Sequence, residues 1–292
     1  METLTGLLLT GCMTNNNSHG TTLVVGGTGK TGRRVAERLQ ARDLPVRIGS
    51  RSGAPPFDWE DRSTWAPALQ GTAAAYVSYF PDLAVPGAPE AIAAFAEQAL
   101  AAGTRRLVLL SGRGEEEAQR AEQALAETDA EWTIVRCTWF SQNFSESYLL
   151  EPVLAGEVVL PTGSVTEPFV DADDLADVAV AALTEPGHDG KTYELAGPRL
   201  LTFGDAADEI AKASGRAVTF LPVSAEEFAT GLAAQSVPPD LVEFFTHLFT
   251  KVLDGRNSHL TRDIAEILGR PARDFRDYAK AAAATGVWGV DR

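Results

Sequence analysis

Apolar runs of strand length alternate with amphipathic stretches along the first half of the chain. The apolar runs occupy residues 21–25, 45–49, 73–77, 106–110 and 132–135. The stretches between them carry apolar residues at helical spacing and occupy residues 33–40, 89–102 and 115–127. Strands that alternate with helices predict right-handed βαβ units. The predicted fold class is therefore α/β, with a Rossmann-type doubly wound parallel sheet.

The pattern becomes less regular after Pro152. Short apolar runs predict strands at residues 158–160, 169–170, 192–195 and 218–221. Amphipathic stretches predict helices at residues 173–183, 203–213 and 240–253. In the last of these helices we interpret four residues as a core face, with a pocket wall as the alternative: Phe244, Phe245, Leu248 and Phe249.

These patterns predict three parts of the chain. Residues 14–20 are polar and rich in asparagine, so residues 1–20 are expected to be a disordered leader. Residues 21–155 are expected to form the Rossmann domain. Residues 156–292 are expected to form a smaller C-terminal α/β lobe, intertwined with the first, that caps the crevice on the substrate side.

The first strand runs directly into a glycine-rich loop and then a helix. Gly26 permits the tight turn, Gly29 lets backbone N–H groups approach a pyrophosphate, and Gly32 lets the helix pack closely on the sheet. A P-loop is excluded because its leading glycine would have to replace Val24 inside the strand. The loop therefore predicts a dinucleotide diphosphate site formed by Gly26, Gly27, Thr28, Gly29, Lys30, Thr31 and Gly32.

The second strand ends in Ser50, Arg51 and Ser52. An acidic residue at this point binds the ribose hydroxyls of NAD, whereas an arginine accommodates the 2′-phosphate of NADP. Arg51 therefore predicts NADP(H) as the cofactor, with a solvated surface arginine as the alternative. The other strand ends are also candidate ligand positions, because the crevice lies at the carboxyl ends of such strands. They comprise residues 78–81, 111–113 and 137–140.

Composition and charge limit the classes of partner that the protein is expected to bind. The 292 residues are 45% hydrophobic and 22% charged, with a formal net charge of −15. No concentrated cationic surface is visible, which argues against nucleic acid as a partner. Two cysteines cannot form a disulfide framework, so we expect a cytoplasmic protein in which Cys137 is a small buried hydrophobe. The four histidines match no metal spacing, and no metal is expected.

Residues 9–12 resemble a lipoprotein cleavage box that ends at Cys12. The first eleven residues contain no lysine or arginine, and the apolar run at residues 7–9 is too short for a signal sequence. We therefore favour translation from Met13 or a loose leader. No run elsewhere is long enough to cross a bilayer, and no membrane association is expected.

The machinery of a short-chain dehydrogenase is only partly present. A serine follows the strand at residues 106–110, as Ser111, but the usual Tyr-x-x-x-Lys pair is missing. No tyrosine lies between Tyr79 and Tyr148, and no lysine lies between Lys30 and Lys191. The pattern therefore identifies no catalytic proton donor. Either there is no turnover or the substrate needs little acid catalysis, as with an iminium ion or a quinone.

Several segments together resemble the NmrA-like branch of the atypical short-chain dehydrogenase/reductases. They are residues 23–32, 49–52, 57–59, 64–65, 109–114, 132–136 and 139–144. The glycine loop and the Phe57-Asp58-Trp59 segment are similar to those of the agroclavine and festuclavine dehydrogenases, which are iminium reductases. The resemblance covers most of the chain from Thr21 onwards.

The resemblance implies roles for particular residues. Asp58 and Trp59 would lie beside the adenine, with a helix cap and a surface anchor as their alternatives. Three residues would lie along the cofactor: Tyr79, Phe80 and Pro81. Ser111 joins this cofactor set. The substrate side would comprise Arg113, Trp139, Phe140 and Asn143, although Phe140 and Phe144 at helical spacing are also compatible with a core.

The sequence thus predicts an NADP(H)-dependent reductase of an apolar imine, iminium or quinone-like small molecule. The alternative is a non-enzymatic NAD(P)-binding redox sensor that acts on a protein partner. The missing Tyr/Lys pair favours the sensor, whereas the aromatic residues at the crevice favour a substrate pocket. The substrate, the direction of reaction and the oligomeric state stay open.

Overall fold

A computed structural model describes residues 20–289. The predictions for the leader, Cys12 and Met13 concern positions outside the described residues. The strands, in chain order, are β1 (Thr21–Val25), β2 (Val46–Gly49), β3 (Thr72–Val77), β4 (Arg106–Gly112), β5 (Glu131–Cys137), β6 (Glu157–Leu160), β7 (Thr166–Glu167), β8 (Lys191–Leu195), β9 (Leu201–Thr202) and β10 (Thr219–Pro222).

The helices surround these strands. They are α1 (Lys30–Gln40), α2 (Trp65–Leu69), α3 (Ala88–Ala101), α4 (Glu116–Ala126), α5 (Asn143–Glu146), α6 (Leu150–Ala155), α7 (Ala172–Thr184), α8 (Phe203–Ser214), α9 (Ala225–Ala234), α10 (Pro239–His247), α11 (Asp263–Leu268) and α12 (Phe275–Ala284). A π-helical turn, Leu248–Val252, continues from α10. In the described part of the chain, no helix has the length and apolar character needed to cross a bilayer.

The central sheet contains six strands in the order β2-β1-β3-β4-β5-β8. Every pair of neighbours is parallel, which confirms the predicted α/β class and Rossmann-type sheet. The chain leaves β1 toward β2 on one side and continues to β3 on the other, so the strand order reverses between β1 and β3. A crevice opens at such a reversal, beyond the carboxyl ends of the strands.

Both faces of the sheet are covered by helices. Alternate residues of β1 point to opposite faces: Leu23 and Val25 pack with α3 and α4, whereas Val24 packs with Val35 and Leu39 of α1 and with α7. These side chains are almost completely buried. Burying an aliphatic side chain of this size contributes about 1.5–3 kcal/mol by transfer from water. The two cores therefore hold the ends of β1 and α1, and with them the glycine loop, in place.

The second half of the chain also contributes to the main sheet. β8 pairs with β5, and α7 packs against α1, so the predicted strand at residues 192–195 belongs to the central sheet. Two small sheets, β6 with β10 and β7 with β9, lie outside it. An aromatic core holds the remaining elements together, with Phe144, Phe169, Phe203, Phe249 and Phe275 at its centre. The domain boundary at residue 155 stays a prediction.

Three predicted elements differ from the structure. α1 begins at Lys30 rather than Arg33, because Gly29 adopts an extended conformation and becomes the N-cap. The predicted strand at residues 169–170 is reduced to one parallel bridge between Val170 and Phe140, and the Phe169 side chain is buried in the aromatic core. The predicted helix over residues 240–253 divides into α10 and the π-helical turn.

Replacement of Gly32 by alanine should destabilise the protein although it lies within a helix. A Cβ atom at this position would lie 2.3 Å from the carbonyl oxygen of Gly26. We expect Gly32→Ala to lower the free energy of unfolding by about 1–3 kcal/mol through overpacking.

Gly231 provides the matched control, because it lies in exposed α9 with no heavy atom within 4 Å of an added Cβ. Gly231→Ala should raise stability by about 1 kcal/mol through helix propensity. Urea unfolding of both variants measures the contrast. A Gly32→Ala protein as stable as the wild type would contradict the close approach of α1 to the loop.

Candidate active site

One pocket of about 750 Å³ extends along the carboxyl ends of β1 to β5. The glycine loop and the ends of β2 and β3 line one part of it. The end of β5, α10 and the π-helical turn line the other. Volumes of this size are typical of small-molecule and cofactor sites.

The glycine loop has the conformation of an anion site. Gly26 lies at φ +68°, in the left-handed region that favours glycine, and its N–H donates to the carbonyl of Gly49 at 2.9 Å. The N–H of Gly29 donates to the Gly26 carbonyl at 2.9 Å and closes the turn. Because the N-cap Gly29 has no side chain, the amides of the first turn of α1 are left available to a ligand. The loop and the helix N-terminus therefore fit a diphosphate.

Lys30 places a cation at the centre of the pocket. Its Nζ donates to Oδ1 of Asn143 at 2.5 Å and lies 5.8 Å from the centre of the Phe140 ring. Burial lowers the pKa of Lys30 to about 8, and the charge of Arg34 acts in the same direction, while Glu146 opposes both. The charged form of the Lys30 ammonium group is thus less favoured than it would be in water. An anionic ligand would favour that form.

Arg51 lies exposed at the rim of the pocket, with its guanidinium 6.0 Å from the centre of the Phe80 ring. Among residues 20–289, no carboxylate forms a salt bridge with it. The hydroxyls of Ser50 and Ser52 lie 3.4 Å apart beside it. This arrangement leaves its charge available for a phosphate.

An aromatic cluster supports the segment at residues 57–59. The ring centres of Trp59 and Tyr79 lie 4.8 Å apart, and Nε1 of Trp59 donates to the carbonyl of Ser78 at 3.1 Å. The carbonyl of Asp58 accepts from Nε1 of Trp65 at 2.7 Å. Because these bonds join β3 to the loop, the side chains of Asp58 and Trp59 both line the pocket.

Two predicted site residues are engaged by other parts of the protein. The Ser111 hydroxyl donates to Glu122 at 2.6 Å, and the same carboxylate accepts from Arg136 at 2.6 Å. The Arg113 guanidinium is buried, donates to the carbonyl of His259 at 3.1 Å and lies 3.3 Å from Glu194. Both residues line the pocket. The Ser111 hydroxyl holds α4 and Nη2 of Arg113 holds the C-terminal segment, whereas Nε and Nη1 of Arg113 have no hydrogen-bond partner within residues 20–289.

The far part of the pocket is aromatic. The Trp139 ring lies 6.3 Å from that of Tyr148 and 5.1 Å from that of Phe249, measured between ring centres. Phe244 and Phe245 of α10 line the pocket, as does Leu248, whereas Phe249 is buried beneath them. The helix at residues 240–253 thus supplies both a pocket wall and a core face. Phe144 is fully buried, whereas Phe140 lines the pocket.

Tyr148 is a pocket residue that sequence reasoning missed. Its hydroxyl oxygen accepts from Nδ2 of Asn143 at 3.2 Å. Lys30, Asn143 and Tyr148 therefore form one chain of hydrogen bonds, although Lys30 and Asn143 are 113 residues apart in sequence. A search for Tyr-x-x-x-Lys cannot find this arrangement, because the lysine comes from α1. The polar Asn143 in an apolar segment was the available signal.

Glu115 is a second residue that the sequence did not indicate. It lines the pocket at the start of α4, against Gly112, whose missing side chain leaves room for the carboxyl group. Burial raises the pKa of Glu115 to about 7, and the carboxylates of Asp82 and Glu117 raise it further. Asp82 also lines the pocket, and burial raises its pKa as well.

Most of the predicted site residues come together in this pocket. Those that line it are Gly26, Thr28, Gly29, Lys30, Thr31, Ser50, Arg51, Asp58, Trp59, Tyr79, Phe80, Pro81, Ser111, Arg113, Trp139, Phe140 and Asn143. Gly27, Gly32 and Ser52 do not line it. Cys137 is buried, which raises its thiol pKa well above the usual range and confirms its prediction as a small buried hydrophobe. Within residues 20–289, no group of histidine, cysteine and carboxylate side chains could hold a metal ion.

Comparison with known proteins shows the family to which the chain belongs. Residues 26–186 match the family model described as NAD(P)H-binding. The chain is 30% identical to festuclavine synthase I of Penicillium roqueforti over 282 residues, which cover 89% of this chain and 97% of that protein. This similarity confirms the predicted resemblance to the festuclavine enzymes.

A second relative and a solved structure extend the comparison. The chain is 33% identical to the (4-alkanoyl-5-oxo-2,5-dihydrofuran-3-yl)methyl phosphate reductase of Streptomyces griseus, with coverage of 88% of this chain and 96% of that one. An NADPH-dependent quinone oxidoreductase of Escherichia coli, solved with NADPH, superimposes with a TM-score of 0.76 at 22% identity, covering 89% and 99% of the two chains. This last likeness shows the fold.

Glu115→Gln should stabilise the protein above neutral pH. The pKa of Glu115 is about 7 in the folded protein and about 4.3 in an unfolded chain. The folded state therefore binds the extra proton, and stability falls as pH rises through this window. At about pH 8 we expect Glu115→Gln to exceed the wild type by about 1–3 kcal/mol, whereas near pH 4 the two should be equal.

The control for this prediction is Glu97→Gln, which makes the same change at an exposed position of α3. It should leave stability nearly unchanged at both pH values. Thermal unfolding followed by circular dichroism gives the comparison. Equal stability of Glu115→Gln and the wild type at about pH 8 would show that the carboxyl is not held neutral by burial.

Proposed function

The chain belongs to the NAD(P)H-binding family, and from this premise we propose that it is an NmrA-like, NADPH-dependent reductase of an apolar imine, iminium or quinone-like small molecule. The observation that carries the proposal is the continuity of one pocket. A loop suited to a diphosphate and a wall of aromatic side chains line the same cavity. A hydride donor and an apolar acceptor would therefore meet within it.

The residues at the glycine loop and at the ends of β2 and β3 would hold the cofactor. The amides at the start of α1 would bind the diphosphate, and Arg51 at the rim would bind the 2′-phosphate. Trp59 and Tyr79 offer aromatic faces for the adenine. When bound, the dihydronicotinamide supplies a hydride, and the protein supplies position and exclusion of water.

The aromatic part of the pocket supports a flat or cyclic acceptor. Trp139, Phe140, Tyr148 and Phe245 offer ring faces to which a planar conjugated molecule can stack. The names of the relatives are consistent with this class, since one is a festuclavine synthase and another reduces a dihydrofuranone phosphate. Burial of the acceptor against these rings would remove it from water.

Arg51→Glu should change the cofactor preference. Removal of the guanidinium and introduction of a carboxylate should weaken NADPH binding about 10- to 100-fold, because a charge-assisted contact becomes a repulsion. NADH lacks the 2′-phosphate, so its affinity should change by less than about 3-fold. Fluorescence titration with each cofactor measures the two changes in affinity.

Arg42→Glu is the matched control. Arg42 is exposed after the end of α1, at the opposite end of the helix from the loop, and it does not line the pocket. The same charge change there should alter both affinities by less than about 2-fold at physiological ionic strength. Equal losses of NADPH and NADH binding in Arg51→Glu would remove Arg51 from the phosphate site.

The activity itself is tested by adding acceptors to the NADPH complex. We expect NADPH to bind more tightly than NADH and to be oxidised when a quinone or a cyclic imine is added. Tight binding without oxidation by any acceptor of the panel would instead support the alternative, a redox sensor that acts on a protein partner.

A further inference from the structure

We infer that Tyr148 is the proton donor of this active site, positioned by Asn143 and Lys30, and that the acceptor is a quinone or another conjugated carbonyl compound rather than an iminium. The inference rests on the proposed reductase function and names its substrate class. The sequence pattern identified no proton donor, and Tyr148 would supply one.

The hydrogen-bond directions orient the Tyr148 hydroxyl. Lys30 has donors only, so it can only donate to Oδ1 of Asn143, at 2.5 Å. This contact fixes the amide of Asn143, whose Nδ2 then donates to the hydroxyl oxygen of Tyr148 at 3.2 Å. A hydroxyl that accepts this bond keeps its own proton for a different partner. Within residues 20–289 no protein acceptor takes that proton.

The surroundings keep the Tyr148 phenol protonated and place it at the wall of the pocket. Its ring contacts Trp139, Phe245 and Phe249, and it lines the pocket beside the aromatic wall. Burial raises the pKa of Tyr148 well above its usual range. The phenol therefore stays protonated before the reaction, while the raised pKa makes it a weaker acid than a tyrosine in water, so its role as donor rests on its position in the hydrogen-bond chain.

The charge of the pocket favours an oxygen acceptor. Lys30 is cationic below a pKa of about 8 and lies within the same hydrogen-bond chain. A positive charge there stabilises negative charge that develops on a carbonyl oxygen and repels a cationic iminium. Arg33 and Arg34 are both paired with Glu146, and the charge of Arg34 also lowers the pKa of Lys30.

The protein contributes one proton to the reaction. Hydride from the cofactor brings two electrons to a carbon of the conjugated acceptor, and the π electrons move to its oxygen. The O–H bond of Tyr148 breaks and a new O–H bond forms on that oxygen, so the acceptor gains two protons and two electrons in all. The tyrosinate then takes a proton from solvent. An N-alkyl iminium becomes a neutral amine by hydride alone and needs no such donor.

Tyr148→Phe separates the two acceptor classes. With 2-methyl-1,4-naphthoquinone as acceptor, we expect kcat to fall by at least about 10-fold, which is less than the usual contribution of a general acid because the phenolate that a quinone forms is only weakly basic. With N-methyl-3,4-dihydroisoquinolinium, any rate that the wild type supports should be retained within about 3-fold, and NADPH affinity should be unchanged. Tyr193→Phe is the matched control, because its hydroxyl bonds to His188 at 2.9 Å and it does not line the pocket.

A binding measurement gives a readout besides turnover. 4-Nitrophenolate carries the oxyanion that a reduced quinone would present, and its absorbance reports its binding to the NADP⁺ complex. Loss of the Tyr148 hydroxyl should weaken this binding about 10- to 100-fold, as expected for a hydrogen bond to a charged group, while Tyr193→Phe should not. Equal affinity in Tyr148→Phe and the wild type would overturn the inference.

Glu115 is the competing donor, and pH distinguishes it. Burial raises its pKa to about 7, with Asp82 and Glu117 as the charged groups that act on it. If Tyr148→Phe keeps the wild-type rate with the quinone, and Glu115→Gln removes a fall in kcat as pH rises through about 7, Glu115 is the donor and the inference is wrong. A wild type that reduces the iminium but not the quinone also overturns it, although the proposed function survives. A wild type that reduces neither overturns both.

Discussion

Glu146 accepts hydrogen bonds from two arginines of α1, and this contact joins the segments that form the centre of the pocket. Arg33 donates to it at 2.6 Å, and Arg34 donates to both of its carboxylate oxygens at 2.6 and 3.0 Å. Burial opposes ionisation of Glu146, but the bonds from Arg34 and Arg33 outweigh burial and lower its pKa. The link is therefore ionic across the neutral range, and it holds the start of α1 against α5.

The position of Lys30 follows from this link. Lys30 begins α1 and Asn143 begins α5, so the attachment of Glu146 at the end of α5 brings the two side chains together. The same helix face continues the contact, since Arg38 pairs with Asp173 at 2.7 Å and with Asp177 at 2.5 Å on α7. Arg33, Arg34 and Arg38 of α1 thus share the carboxylates of Glu146, Asp173 and Asp177. Lys30 lies beyond them and meets an amide, which leaves its charge for the pocket.

The pocket lies between two hydrophobic cores, and each core supports a different part of it. Trp59 and Tyr79 pack on the core that covers one face of the sheet, so the predicted cofactor part is held by the Rossmann domain itself. Trp139 and Phe249 belong to the aromatic core of the C-terminal elements, and Tyr148 packs against it. The acceptor part therefore depends on packing among α5, α8, α10 and the segments around them.

The features that sequence alone determined are those encoded by consecutive residues. A strand, three glycines and a helix form one local unit, so the loop, the parallel sheet and the place of Arg51 could be predicted from spacing. The hydrogen-bond partners of individual polar groups could not be predicted in this way. Ser111 has the position of a catalytic serine, yet its hydroxyl is taken by Glu122, and Tyr148 joins Lys30 through Asn143 although Lys30 and Asn143 are 113 residues apart. These partners depend on how β4 meets α4 and how α1 meets α5. Only the tertiary structure decides which polar groups pair, because a hydrogen bond depends on the distance between two atoms in space. The separation of two residues along the chain does not predict that distance.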